Sequence, residues 1–211
     1  QGMYLAKGEY FLLVNPDIVF TEPVLDKLET HMEAEPKVGV AGICLKNLDG
    51  TQQNCVWRFP GVLDQLLVLL KVPHILSSLK AIASWRMLDM DYSKTQDVDQ
   101  VMGAFFCIRR KVAEQLNYLD ENFFIWYEEV DFCKRVKESG LLVRYFSDLS
   151  AKHKGGASFL HVGTRKKQSI VRNSLRYYMK KHHGWIAWLI FTLPEPLFIL
   201  IAIVSEKIKP R

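Results

Sequence analysis

Gly8-Glu9-Tyr10-Phe11-Leu12-Leu13-Val14-Asn15-Pro16-Asp17 is the stretch that decides the fold. Tyr10–Val14 is a continuous apolar run bounded by a glycine before it and Asn-Pro after it, the pattern of a strand buried on both faces of a parallel sheet. Asp17 falls just past the carboxyl end of that strand, where open α/β sheets bind their ligands. Thr21 is placed to cap a helix with Pro23 in its first turn, Leu25, Leu28 and Met32 form its apolar face, and Pro36 ends it. A second strand at 38–43 follows directly, so the chain opens on a strand-helix-strand unit of α/β type.

Further on, residues 62–82 are rich in Leu, Ile and Val, with Leu63, Leu66, Leu67 and Leu70 on one helical face and Pro73 interrupting. Such a segment is core or a subunit contact, or it lies on lipid or against an apolar acceptor. Residues 89–100 are polar and read as a connecting loop. A third buried strand is expected at 101–108, with Gly103 allowing close approach of backbone or ligand, then Arg109-Arg110 and a helix at 111–116. A helix at 128–139 is closed by Gly140, a fourth strand spans 141–146, and His153 lies shortly after it. Residues 154–167, with three glycines, read as a flexible basic loop.

With 211 residues, 49% of them hydrophobic and 24% charged, the chain can build one sizeable core, and disorder is excluded. Its charge is unevenly placed. Residues 1–148 hold 16 Lys/Arg against 21 Asp/Glu, whereas residues 149–211 hold 12 against 2. Nine of those basic residues lead into the apolar stretch 185–204, which Pro194, Glu195 and Pro196 cut in half. Arg172, Arg176, Lys180 and Lys181 recur near helical spacing ahead of Trp185 and Trp188. This arrangement suits an anionic membrane surface better than nucleic acid, which is not expected as a partner. Twenty residues reach across a bilayer only as one helix, and Glu195 near the middle favours two half-segments in the interface or a re-entrant hairpin. Cys44, Cys55, Cys107 and Cys133 show no metal or redox spacing and read as reduced, buried thiols of a cytosolic environment.

The chemistry is concentrated in Phe123-Phe124-Ile125-Trp126-Tyr127-Glu128-Glu129-Val130-Asp131-Phe132-Cys133. Three acids at a helix start suit the helix dipole. Behind aromatics they also suit a site that grips a sugar and takes a proton from one of its hydroxyls. Trp126 and Tyr127 offer flat faces, although ordinary core packing is the better reading of Tyr127. Asp131 and Arg135 are one helical turn apart and placed to pair.

Taken in order, Ala6 to Asp17, Gly103-Ala104 with Arg109-Arg110, Leu119-Asp120-Glu121-Asn122-Phe123-Phe124, Tyr127 to Cys133, Arg135 and His153 resemble the family-2 inverting glycosyltransferases of GT-A fold, especially rhamnosyltransferase-like members. The resemblance covers residues 1–160 or so and implies an α/β, mostly parallel sheet flanked by helices. It also implies that a strand-helix region holding the nucleotide precedes Gln1. Asp17 then corresponds to the last acid of the family's metal motif, with Asn15 in place of an Asp, and His153 to its metal-binding histidine, for Mg2+ or Mn2+. Glu129 corresponds to the acceptor-deprotonating base, with Glu where Asp is usual. Trp126 and Glu128 are the expected acceptor contacts. Arg165 and Lys166, on the basic loop, are expected at the donor diphosphate.

The chain is therefore expected to comprise a glycosyltransferase portion at 1–167 and a basic, apolar membrane-associated segment at 168–211. The expected reaction moves a sugar, rhamnose by the subfamily resemblance, from a nucleotide diphosphate sugar to a lipid-linked glycan or polysaccharide acceptor. Its expected place is the cytoplasmic face of the bacterial inner membrane. The competing reading is a non-catalytic membrane-docking or scaffold module derived from such an enzyme.

Overall fold

The computed structural model describes residues 1–76, 78–155 and 164–208, and their side chains other than those at 74, 164, 165 and 204–208. A short helix α1 (Gly2–Leu5) leads into β1 (Tyr10–Val14) and β2 (Ile18–Phe20), then α2 (Val24–Ala34) and β3 (Val38–Lys46). Next come β4 (Val56–Trp57), α3 (Val62–Leu69), a 3-10 turn at Val72–His74, α4 (Lys80–Trp85), β5 (Gln96–Asp97), β6 (Gln100–Val101) and β7 (Phe105–Arg109). The chain continues through α5 (Arg110–Gln115), α6 (Glu128–Glu138), β8 (Leu142–His153), α7 (Thr164–Thr192) and α8 (Glu195–Ile208).

The main sheet runs β1-β7-β3-β8-β2, with β5 also on β8. It is mixed rather than mostly parallel: β3 with β8 is parallel, and the pairs β1–β7, β3–β7, β2–β8 and β5–β8 are antiparallel. The fully buried strand is β3, not β1. Val38 to Leu45 are all buried, whereas β1 lies at an edge with Phe11 buried and Val14 exposed. A run of five apolar residues has the same pattern at a covered edge as in a sheet centre, so periodicity alone does not separate them.

Small residues let β3 sit under its neighbours. A Cβ on Gly42 would lie 2.6 Å from Cβ of Val101, and one on Gly39 would lie 3.0 Å from Cγ1 of Val136 on α6. Several element boundaries differ from expectation. Helix α2 starts after Pro23 without a Thr21 side-chain cap, burying Val24, Leu28 and Met32 while Leu25 is exposed. The 62–82 stretch breaks into α3, the 3-10 turn and α4, and Leu63 is exposed. The polar 89–100 loop contains β5 and the start of β6. The expected 101–108 strand is interrupted by a turn at 102–104.

The most consequential difference is β8, which does not stop at Phe146. Its register on β3 jumps between Ile43↔Phe146 and Cys44↔Ser150, an irregularity that bends the strand and lets it run on to His153. Its first half pairs with β5 and its second with β2, where Ile18 opposes His153.

Helix α7 bends at Gly184 (φ 84°) and closes a second apolar cluster. Leu175, Tyr178, Met179, Ala187 and Phe191 pack there with Phe123, Val130 and residues of α3, each large buried side chain contributing about 1.5–3 kcal/mol. Three of the basic residues expected to face a leaflet are tied to acids of the fold instead. Arg172 and Arg176 pair with Glu195 at the start of α8, and Lys181 pairs with Asp120 and Asp131. Among the described residues no single helix is long and apolar enough to cross a membrane; the 166–192 and 195–203 helices pass that test only together, bent by 61°. All four cysteines are buried free thiols, as expected.

Candidate active site

Asp17 is delivered by the turn between β1 and β2. The Asn15 N–H donates to the Ala104 carbonyl (3.0 Å), continuing the β1–β7 ladder by one step, and the Ile18 N–H donates to the Asn15 carbonyl. Because Ile18 opposes His153 and the Lys154 N–H donates to the Asp17 carbonyl, the Asp17 side chain lies beside the imidazole. Asp17 Oδ1 stands 3.4 Å from His153 Nε2, both side chains are almost fully buried, and neither atom has a hydrogen-bond partner. The other imidazole nitrogen, Nδ1, lies 2.7 Å from Oε1 of Gln53.

Glu128 and Glu129 open α6. The two residues before them, Trp126 and Tyr127, both take left-handed backbone conformations (φ 62° and 70°), costing about 1–3 kcal/mol each. Surrounding contacts hold the segment there. The Tyr127 hydroxyl donates to Gln65 (3.0 Å) and its ring packs on Tyr178, while Ser174 Oγ of α7 donates to the Ile125 carbonyl (2.8 Å). Tyr127 is thus a core residue, as expected. Trp126 is half-buried with Lys167 Nζ 5.8 Å from its ring centroid, and neighbouring Phe124 is exposed.

The turn at 102–104 joins the two halves. On one side Ala104 receives the Asn15 N–H; on the other, a Cβ on Gly103 would lie only 3.5 Å from Cδ of Glu129. Asn15, two residues before Asp17, and Glu129 therefore both reach one three-residue turn, and the glycine leaves open the space beside the carboxylate. Burial, reinforced by the adjacent Glu128 carboxylate, pushes Glu129 up to about 7; burial raises Glu128 as well. One oxygen on each, Oε2, is buried without a partner. A carboxylate titrating near neutrality is suited to accept a proton at working pH.

Asp131, on the same helix, does something different. Its buried carboxylate receives Arg135 (2.8 Å), Lys181 (2.7 Å) and His182 (2.7 Å), and these contacts hold it below its ordinary value against the desolvation that opposes them. It is the hub that fastens α7 to α6. The Asp131–Arg135 pair was legible from spacing; the partners on α7 were not.

Arg165 and Lys166 fall in the first turn of α7 rather than on a loop; the Arg165 side chain lies outside the described residues, as do residues 156–163 of the expected loop, and Lys166 is exposed. Gln53 gave no sequence signal, being 100 residues from His153. A cavity of about 960 Å³ runs along β1 and the 116–122 segment, and Asp17, Glu129 and His153 do not line it.

The Asp17–His153 pair fits a divalent cation. Two lone-pair donors facing each other across 3.4 Å, buried and unpartnered, resemble adjacent ligands of one octahedral ion, which stand about 3 Å apart. Their O,N chemistry suits Mg2+ or Mn2+. Among the described residues no group of three or more His, Cys, Asp or Glu side chains forms a complete cage, so remaining positions would fall to waters or a bound substrate.

No family model matches the chain. Over 184 residues, 86% of the chain, it is 21% identical to rhamnosyltransferase WbbL of Escherichia coli (strain K12). Over 56 residues, 26% of the chain, it is 36% identical to the low-salt glycan biosynthesis hexosyltransferase Agl10 of Haloferax volcanii. The chain spans 63% of the length of the first and 18% of the second. Its fold is similar to that of GalNAc-T7 in a crystal structure with UDP, GalNAc and Mn2+, with a TM-score of 0.53 at 12% identity over 87% of this chain and 34% of that one. The sequence likeness is to glycosyltransferases, and the structural likeness supports the α/β GT-A-type fold expected from the sequence.

Proposed function

We propose that the chain is the catalytic part of an inverting glycosyltransferase that moves a sugar from a nucleotide diphosphate donor to an acceptor hydroxyl. The observation that carries this reading is that one turn, 102–104, is reached by Glu129 and by Asn15, two residues before the Asp17 that faces His153. Glu129 takes the proton from the acceptor hydroxyl as its oxygen attacks the anomeric carbon. The bond from that carbon to the diphosphate oxygen breaks on the opposite face, so configuration inverts. Asp17 and His153 would hold Mg2+ or Mn2+, which would supply positive charge for the departing diphosphate.

Trp126 and Glu128 seat the acceptor beside Glu129, and Arg165 and Lys166 are assigned to the donor diphosphate by the resemblance alone. The likeness to WbbL supports rhamnose as the sugar, and the likeness to Agl10 supports a hexose donor more generally. The exposed Trp185, Ile186, Leu193, Leu197 and Leu200 support contact with a membrane. The resemblance alone carries the rest of the proposal, a lipid-linked glycan as acceptor at the cytoplasmic face of the bacterial inner membrane. The test is transfer from a panel of nucleotide sugars by membranes carrying the protein with Mn2+. One donor should support transfer with inverted anomeric configuration in the product; retention, or no transfer from any donor, overturns the reading.

A further inference from the structure

The imidazole of His153 is not left to choose its tautomer. A chain of four side chains leads to it from the turn that follows β3, and the direction of every hydrogen bond in the chain is set at its far end. Asp49 is a carboxylate and can only accept, so the Thr51 hydroxyl donates its proton to Asp49 Oδ1 (2.6 Å). The Thr51 oxygen then accepts from the Asn47 amide NH2 (2.9 Å), which turns the Asn47 carbonyl oxygen toward Gln53. Gln53 donates its NH2 to that oxygen (3.2 Å) and so presents its own Oε1 to His153 Nδ1 (2.7 Å). An amide oxygen can only accept, so Nδ1 carries the proton. In the neutral ring Nε2 is then the lone pair, 3.4 Å from Asp17 Oδ1.

The backbone keeps this relay in place. The Asn47 and Thr51 main chains pair across a tight turn with Gly50 at φ 88°, and the Gln53 N–H donates to the Leu45 carbonyl. Gly155, at φ 69°, closes over Gln53, with a Cβ there reaching 3.5 Å from Gln53 Nε2. From this arrangement we infer that Gln53 is a positioning residue, which with Asn47, Thr51 and Asp49 fixes His153 as the Nδ1–H tautomer and aims Nε2 at the cation site. The inference deepens the proposed function and rests on it for the role of the cation. Partners that set the tautomer of a ligating histidine commonly govern metal affinity by about 10–100-fold.

The experiment uses the metal-free chain with 15N-labelled histidine in buffer of about pH 8, where imidazoles are ordinarily neutral. Two-bond 15N–1H correlation spectra report which ring nitrogen of His153 is protonated, and Mn2+ titration of the same samples reports affinity. Wild type should show Nδ1 protonated and Nε2 bare. Gln53→Ala should shift His153 toward the Nε2–H form and weaken Mn2+ binding about 10–100-fold, while Gln53→Glu, which keeps an acceptor at the same place, should restore both. Wild-type His153 protonated on Nε2, or a Gln53→Ala chain with unchanged tautomer, overturns the inference. The expected tautomer and its dependence on Gln53 without any Mn2+ affinity would support the positioning of His153 and overturn the metal role in the proposed function, so the two failures are distinguishable.

Discussion

Asp17 Oδ1 and His153 Nε2 face each other at 3.4 Å, buried and without a hydrogen-bond partner, although they come from positions 136 residues apart. Two acceptors in that relation are a local cost that a cation removes. Asp17→Asn replaces the facing oxygen by an amide able to donate to Nε2. In EDTA the variant should be more stable than wild type by about 0.5–1.5 kcal/mol in urea denaturation. Wild type should gain about 2.7 kcal/mol at Mn2+ one hundred times its Kd, and the variant nothing.

Glu129 gives stability a pH dependence of definite sign. Its folded value lies at about 7 against an ordinary 4.5, so the neutral form is favoured by folding; that contribution is complete below about 4.5 and is lost as pH rises through about 7. Glu129→Gln should flatten this part of the profile and make the protein up to about 3 kcal/mol more stable at about pH 8. Activity runs the other way. Transfer should rise with pH through about 7 in wild type, since the base must be ionised, and this limb should vanish from any residual activity of the variant.

At Gly103 the space beside Glu129 is empty because the residue has no side chain. A methyl group there makes an ordinary contact at 3.5 Å from Glu129 Cδ, so Gly103→Ala should unfold within about 0.5 kcal/mol of wild type. It should nevertheless lower kcat/KM for the acceptor at least tenfold, read by varying acceptor at saturating donor. Gly42→Ala is the contrast: its Cβ would meet Val101 Cβ at 2.6 Å in the core, and a loss of about 1–3 kcal/mol is expected.

Asp131 is a structural anchor rather than part of the chemistry. Asp131→Ala removes the buried carboxylate that His182 bonds and one of the partners of Arg135 and of Lys181, and should cost about 3–5 kcal/mol. Limited proteolysis should show the α7 segment released before the sheet unfolds.

The exposed apolar face of α7 and α8 should bind lipid. Trp185 is 66% exposed and Leu193 73%. A Trp185→Ser, Leu193→Ser chain should lose at least tenfold in partitioning to anionic vesicles, corresponding to about 1.4 kcal/mol or more. Flotation identical to wild type would remove this face as the contact.

Much of the α/β character was legible in local sequence, because apolar runs at Tyr10–Val14, in β3 and in β7 and the caps at Pro36 and Gly140 are short-range signals. Strand order and direction were not, since β1 and β3 carry similar runs and only tertiary pairing makes one an edge and the other the centre. Asp17, Glu129 and His153 were named from the sequence by resemblance. The way His153 reaches Asp17 depends on an irregularity in β8 that no local pattern announces. Gln53 and the α7 partners of Asp131 were invisible for the same reason: their contacts span 100 and about 50 residues. Basic spacing in α7 suggested a free outward-facing surface, whereas Asp120, Asp131 and Glu195 take Arg172, Arg176 and Lys181 into ion pairs.

The most direct test of the joined site measures donor binding and sugar transfer separately, with Mn2+, for wild type, Glu129→Gln and Asp17→Asn in membranes carrying the protein. The account predicts that Glu129→Gln binds the nucleotide sugar as wild type does but transfers it about 10²–10⁴-fold more slowly, while Asp17→Asn loses Mn2+-dependent donor binding. Full transfer by Glu129→Gln, or donor binding indifferent to both Mn2+ and Asp17, would contradict it.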